Sequence, residues 1–150
     1  MKKYRILIIA TATLAVLVGI IILSFQPRQV LRRKFGHRLP KSAVILNFDY
    51  QLFGENLEEY LDCKISFDES DYPVMKKQVE TYYGKYGSNQ ISKDDFIPYF
   101  ENTCPWWDMD KDDIVLAYER VETGRTIKSQ FTYSFIVRDS AGEYYLYVSK

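Results

Sequence analysis

"LDCKISF", residues 61–67, alternates without a break: Leu61, Cys63, Ile65 and Phe67 are apolar, and Asp62, Lys64 and Ser66 are polar. A period of two belongs to a strand with one buried and one wet face, which is the habit of antiparallel sheets. The same pattern extends outward in both directions. Upstream, "AVILNFDYQLF" (43–53) places Val44, Leu46, Phe48, Tyr50 and Leu52 on one face. Downstream, "TIKSQFTYSFIV" (126–137) sets Ile127, Phe131, Tyr133, Phe135 and Val137 against an outward row of Lys128, Gln130, Thr132 and Ser134. "IVLAYERVE" (114–122) and "EYYLYVS" (143–149) are rich in strand formers but apolar on both faces. The connectors "TGR" (123–125) and "DSAG" (139–142) are short and contain glycine, so the last three strands are expected to follow one another as hairpins.

Between the two groups of strands the period changes. "SDYPVMKKQVETYYGKYG" offers Ser70 and Asp71 as caps and Pro73 for a first turn, with Gly84 and Gly87 as stops. Val74, Met75, Gln78, Val79, Tyr82 and Tyr86 recur at helical spacing and form one stripe. The predicted fold class is therefore α+β, an antiparallel sheet of five strands with one packed helix in the order ββαβββ. This domain is expected over residues 42–150.

The N-terminal part reads differently. Residues 1–5 are a basic flank, and residues 6–25, "ILIIATATLAVLVGIIILSF", contain no charge. At 1.5 Å per residue, twenty residues span about 30 Å, the thickness of a bilayer core. The expectation is an uncleaved transmembrane signal-anchor, since no small-x-small cleavage site follows. Residues 26–41 then form a basic juxtamembrane stalk, in which Arg28, Arg32, Arg33, Lys34 and Arg38 are candidates for contact with lipid head groups of the bilayer. A long domain can be exported regardless of its charge, so residues 42–150 are expected outside the cytoplasm, although flanking charges counted literally favour the reverse. The layout resembles that of small membrane-anchored proteins of Gram-positive bacterial envelopes. It is a resemblance of layout and not of motif, and it carries no site residues.

Charge is divided along the chain. Residues 1–41 hold nine Lys and Arg and no acid, which leaves 11 basic against all 20 acidic groups in residues 42–150, a net of −9. An acidic domain lacks the cations that phosphate contacts need, so nucleic acid is excluded as a partner. The only histidine, His37, lies in the basic stretch. Nucleophile–histidine schemes therefore have no histidine inside the domain, and the glycine-rich nucleotide motifs and H-E-x-x-H are absent. No cofactor is implied. Among the acids, carboxylate pairs able to do acid–base work cannot be picked out by sequence alone.

Three features remain. Cys63 and Cys104 are candidates for a disulfide, with two buried thiols as the alternative. "PWWDMDKDD" (105–113) carries Trp106 and Trp107, candidate partner contacts, of which only one can point into a core on extended chain. Its aspartates fit the acidic positions of a calcium loop, but Asp113 stands where that loop needs glycine, so a capped turn leading into a strand is expected and no metal site. These features point to a non-enzymatic protein that binds a protein partner or an envelope component. The alternatives are an envelope enzyme with carboxylate chemistry and an accessory subunit of a larger membrane complex.

Overall fold

The computed structural model describes residues 2–53, 58–92, 106–122 and 130–150. It divides into two units, Met1–Arg38 and Leu39–Lys150.

The first unit contains α1 (Lys2–Ser24) and α2 (Pro27–Phe35). Among the described residues, no helix is long and apolar enough to cross a membrane. That finding corrects the reading of residues 6–25 as a transmembrane signal-anchor. Within α1, 23 residues long, Thr13 turns its hydroxyl back to donate to the Ile9 carbonyl at 2.9 Å. In α2 the apolar residues Val30, Leu31 and Phe35 are buried, and Arg28, Arg32, Arg33 and Arg38 are exposed, with Lys34 half-buried. Gly36 ends α2 at φ 68°, where its N–H donates to the Arg32 carbonyl. His37 is fully buried and stacks on Phe35 at 5.7 Å. Burial pulls its imidazole down to a pKa of about 4.

The second unit is α+β. Its strands are β1 (Val44–Phe53), β2 (Glu58–Phe67), β3 (Asn89–Gln90), β4 (Ile114–Glu122), β5 (Gln130–Arg138) and β6 (Tyr144–Ser149). They form one sheet in the order β1-β2-β6-β5-β4-β3, and every pairing is antiparallel. The sixth strand beyond the five anticipated is the two-residue β3 at the far edge, too short to leave a periodic signal. β6 lies in the middle, between β2 and β5, which is why "EYYLYVS" is apolar on both faces. The β5–β6 turn is held by Asp139, whose carboxylate accepts from the Ala141 and Glu143 N–H groups at 2.9 and 2.8 Å. Gly142 takes φ 87° there, a conformation that disfavours a side chain.

One face of the sheet is covered by α3 (Tyr72–Lys85). A short 3-10 turn (Glu69–Asp71) precedes it and Pro73 sits in its first turn. Asp71 does not cap the helix with its side chain; its carboxylate accepts from the Ser42 hydroxyl. The buried stripe is Met75, Val79 and Tyr83, so Val74 and Tyr86 of the expected stripe are exposed. The same helix inverts one expectation for β5. Thr132 and Ser134, assigned outward as polar residues, are fully buried. The Tyr83 hydroxyl donates to Ser134 Oγ at 3.0 Å, and a buried phenol needs such a partner. The helix thus packs on the small, polar side of β5 and leaves the aromatic side to the other face.

β1 contains a second departure. Its register slips between Ile45 and Asn47, so Ile45 pairs with Ile65, whereas Phe48 pairs with Cys63. Leu46 is the extra residue of a β-bulge, and the parity of the strand changes across it. Val44 and Leu46 consequently point to solvent, Val44 at 55 % exposure.

Candidate functional site

The face opposite α3 carries the aromatic side chains of β5 and β6. Along β5, Phe131, Tyr133 and Phe135 stack nearly parallel, with ring centroids 6.1 and 6.0 Å apart. Trp107 closes part of this face, edge-on to Phe135 and to Tyr147 at 5.8 Å each. It is only 6 % exposed, within a cluster completed by Ala117 and Val137. Trp106 is half-buried and packs against the same cluster, as do Met109, Ile114 and Ile91. Of the two tryptophans, then, Trp107 is core and Trp106 keeps a partial surface.

The aspartates after them divide their work. Asp110 accepts from the Asp112 N–H at 3.0 Å and opens a 3-10 turn (Lys111–Asp113) that leads into β4. Asp108 accepts from Lys64 Nζ and, at 2.9 Å, from the Tyr147 hydroxyl. The Lys64 ammonium also lies over the Tyr145 and Tyr147 rings, 5.0 and 5.3 Å from their centroids. Burial pushes the Asp108 carboxyl up, but the hydrogen bonds from Lys64 and Tyr147 outweigh it, and the net displacement is downward. The Tyr147 phenol is pushed up, first by burial and then by its bond to the Asp108 carboxylate. This is a self-satisfied corner: one cation, one carboxylate and two π faces. Among the described residues, no group of three or more His, Cys, Asp or Glu is placed to hold a metal ion.

Two further polar clusters lie back to back at one end of the sheet. On the helix side, Lys150 Nζ stands 3.4 Å from Glu59 Oε2 and 3.8 Å from Glu122 Oε1. Arg120 pairs with Glu122 at 3.1 Å, donates to the Tyr82 hydroxyl at 3.0 Å and lies 3.5 Å over the Tyr86 ring. Tyr50 donates to Glu59 at 3.2 Å. Glu59 and Glu122 are thus a convergent carboxylate pair, but each is engaged by a cation, which is the geometry of a structural ion network.

On the opposite side, register alone assembles a row. Asp49 pairs with Asp62, Asp62 with Ser149, Ser149 with Tyr133, and Tyr133 with Glu119. Directly paired residues share a face and stand about 5 Å apart. Tyr133 donates to Glu119 at 3.2 Å, Gln51 to both Asp49 oxygens at 3.0 Å, and Tyr60 to Asp62 Oδ2. Asp62 is only 3 % exposed, and its Oδ1 has no hydrogen-bond partner. Beside the row, the cross-strand pair Val121 and Phe131 is 48 % and 44 % exposed. The sequence did not single out this row, since its members are far apart in the chain.

Cys63 faces the helix side, fully buried, and its thiol is pushed up to about 12 by burial and by the Asp62 charge. The expected disulfide partner, Cys104, and Pro105 lie outside the described residues, as do the "TGR" connector and Ile127 and Lys128.

No protein-family model, no curated protein and no solved structure matches this chain.

Proposed function

We propose that the unit Leu39–Lys150 is a non-enzymatic binding module for a protein partner, docked on the half of the aromatic face next to the acid row. The observation that carries this reading is the exposed Val121–Phe131 pair beside Tyr133, Asp49 and Glu119. Aromatic and apolar groups left in solvent next to polar ones are the composition of a docking patch. The two other polar clusters are closed on themselves and have no chemistry left to offer.

Photo-crosslinking tests this. A benzophenone amino acid placed at Phe131 or Val121 in the full chain, irradiated in the native cells, is expected to trap one reproducible protein adduct. The same group at Val74, exposed on α3, is expected to trap none. Absence of an adduct at both sheet positions, or an equal adduct at Val74, rejects the patch.

A further inference from the structure

We infer that β1 pairs antiparallel with β1 of a second copy of this chain, about a two-fold axis at Tyr50, joining two sheets edge to edge. The inference goes beyond the partner-binding reading, whose Val121–Phe131 pair lies on β4 and β5.

The two edges of the sheet differ. One is β3, two residues long, and the other is β1, ten residues long. A long edge strand offers its backbone to another chain unless lysine, proline or a bulge blunts it. β1 contains no Lys, Arg or Pro, and Asp49 is its one charge. Its bulge at Leu46 disturbs only the start, and the register with β2 is regular from Asn47 to Phe53.

The direction of the backbone follows from the strand behind. Leu61 exchanges both of its backbone hydrogen bonds with Lys150, at 2.9 and 2.8 Å. Its N–H and C=O therefore point away from β1. Tyr50, directly opposite Leu61, belongs to a non-hydrogen-bonded pair, so its own N–H and C=O point away from β2. The Glu59 carbonyl, opposite Leu52, agrees: it accepts from Gln130 Nε2 of β5, on the side away from β1, at 2.7 Å. By alternation Phe48 and Leu52 also direct their backbone groups to the outer edge.

The side chains name the occupant. "FDYQL", residues 48–52, reads alike from both ends: apolar, polar, tyrosine, polar, apolar. Residues opposite one another in an antiparallel pair share a face. An axis at Tyr50 sets Phe48 opposite Leu52 of the second copy and Asp49 opposite its Gln51. Leu52, 45 % exposed, gains an apolar neighbour. Gln51 already donates to both Asp49 oxygens along its own strand at 3.0 Å, and across the axis it meets the same acceptor. Phe48 and Leu52 then exchange backbone hydrogen bonds in both directions. An axis at Asp49 would set two carboxylates opposite each other, which repels.

The test is disulfide trapping of the full chain in a Cys104→Ser background, oxidised with copper phenanthroline. The interface is small, and trapping accumulates transient pairs. Tyr50→Cys puts a thiol opposite its own copy, with about 5.5 Å between Cα atoms, within disulfide reach. Leu52→Cys separates the two thiols by four residues along the strands, about 13 Å, which is out of reach. Tyr50→Cys is expected to give a covalent dimer of twice the 17.7 kDa chain mass at least tenfold faster than Leu52→Cys. Mixing Phe48→Cys protein with Leu52→Cys protein is expected to restore the faster rate. Equal rates for Tyr50→Cys and Leu52→Cys, or no gain on mixing, overturn the inference. Leu52→Pro removes an N–H that the ladder with β2 does not use, a change that an edge strand tolerates. In the Tyr50→Cys background, with the far-ultraviolet spectrum unchanged, it is expected to slow trapping at least tenfold. Trapping that persists there rejects the edge and assigns the association to another surface. The comparison of positions stands whether or not the proline variant folds.

Discussion

Two polar clusters share one end of this sheet, on opposite faces, and their charges are arranged in opposite ways. On the helix side, Lys150 and Arg120 meet Glu59 and Glu122, and every charge has a partner within 3.8 Å. On the other side, Asp49, Asp62 and Glu119 line up with no described cation among them. The chain crosses from one cluster to the other in a single step, because Glu119 and Arg120 are adjacent and alternate across β4. The difference teaches that acidic composition is not evenly distributed strain. On the helix side cations balance the acids, whereas on the open face the buried Asp62 has only the Tyr60 hydroxyl as a described donor.

The largest test of that contrast is Lys150→Met. It removes the ammonium between two half-buried carboxylates and leaves them facing each other. A loss of roughly 2–3 kcal/mol in urea unfolding is expected, at the lower end for breaking a buried pair. No loss would mean that the balanced cluster is not balanced by Lys150. Next is Tyr60→Phe, which takes from Asp62 the hydroxyl that donates to it. About 1.5 kcal/mol should be lost, and in the Asp62→Asn background the same change should cost clearly less, since the acceptor is then uncharged. Additive losses would deny the coupling.

Asp62→Asn alone should act with the opposite sign and stabilise the free chain by about 1 kcal/mol. The smallest effect is expected at the Trp107 corner. Asp108 is largely exposed, so Asp108→Asn should cost only about 0.3 kcal/mol at pH 7 once solvent screening is allowed for. Its folded carboxyl is displaced downward. The stabilisation is therefore present above the ordinary aspartate range and is lost as pH falls through the lower folded value. Denaturation curves of the two proteins should converge in strong acid, and a gap that widens on acidification would contradict the pairing.

What the sequence made legible follows from what a period can carry. "LDCKISF" announced β2 and its inward face, because that strand is regular and its apolar side chains go where alternation sends them, although Asp62, expected on the wet face, is buried too. "AVILNFDYQLF" announced a strand but misassigned its first half, because the bulge at Leu46 reverses parity without any glycine or proline to mark it. In β5 the polar residues Thr132 and Ser134 read as solvent-facing, yet they lie under α3, where Tyr83 supplies the hydrogen bond that makes Ser134 cheap to bury. The acid row was illegible for a different reason. Asp49, Asp62 and Glu119 come together only through strand register, and register is a relation between segments that no single segment encodes. The Trp107 corner lay between these cases: two adjacent tryptophans on extended chain said that one would be buried, without saying which.

The position of β6 has a consequence for how the chain is made. Phe67 of β2 pairs with Tyr144 of β6, 77 residues later in the sequence. Until residues 144–149 have left the ribosome, the β1–β2 hairpin and the β4–β5 hairpin have nothing to join them, and each presents a bare edge to the cytosol or to an export channel. Loop closure over that distance is slow compared with forming either hairpin. The nascent protein therefore waits in two halves with open strand edges, the state in which β proteins are most easily captured by chaperones or by one another.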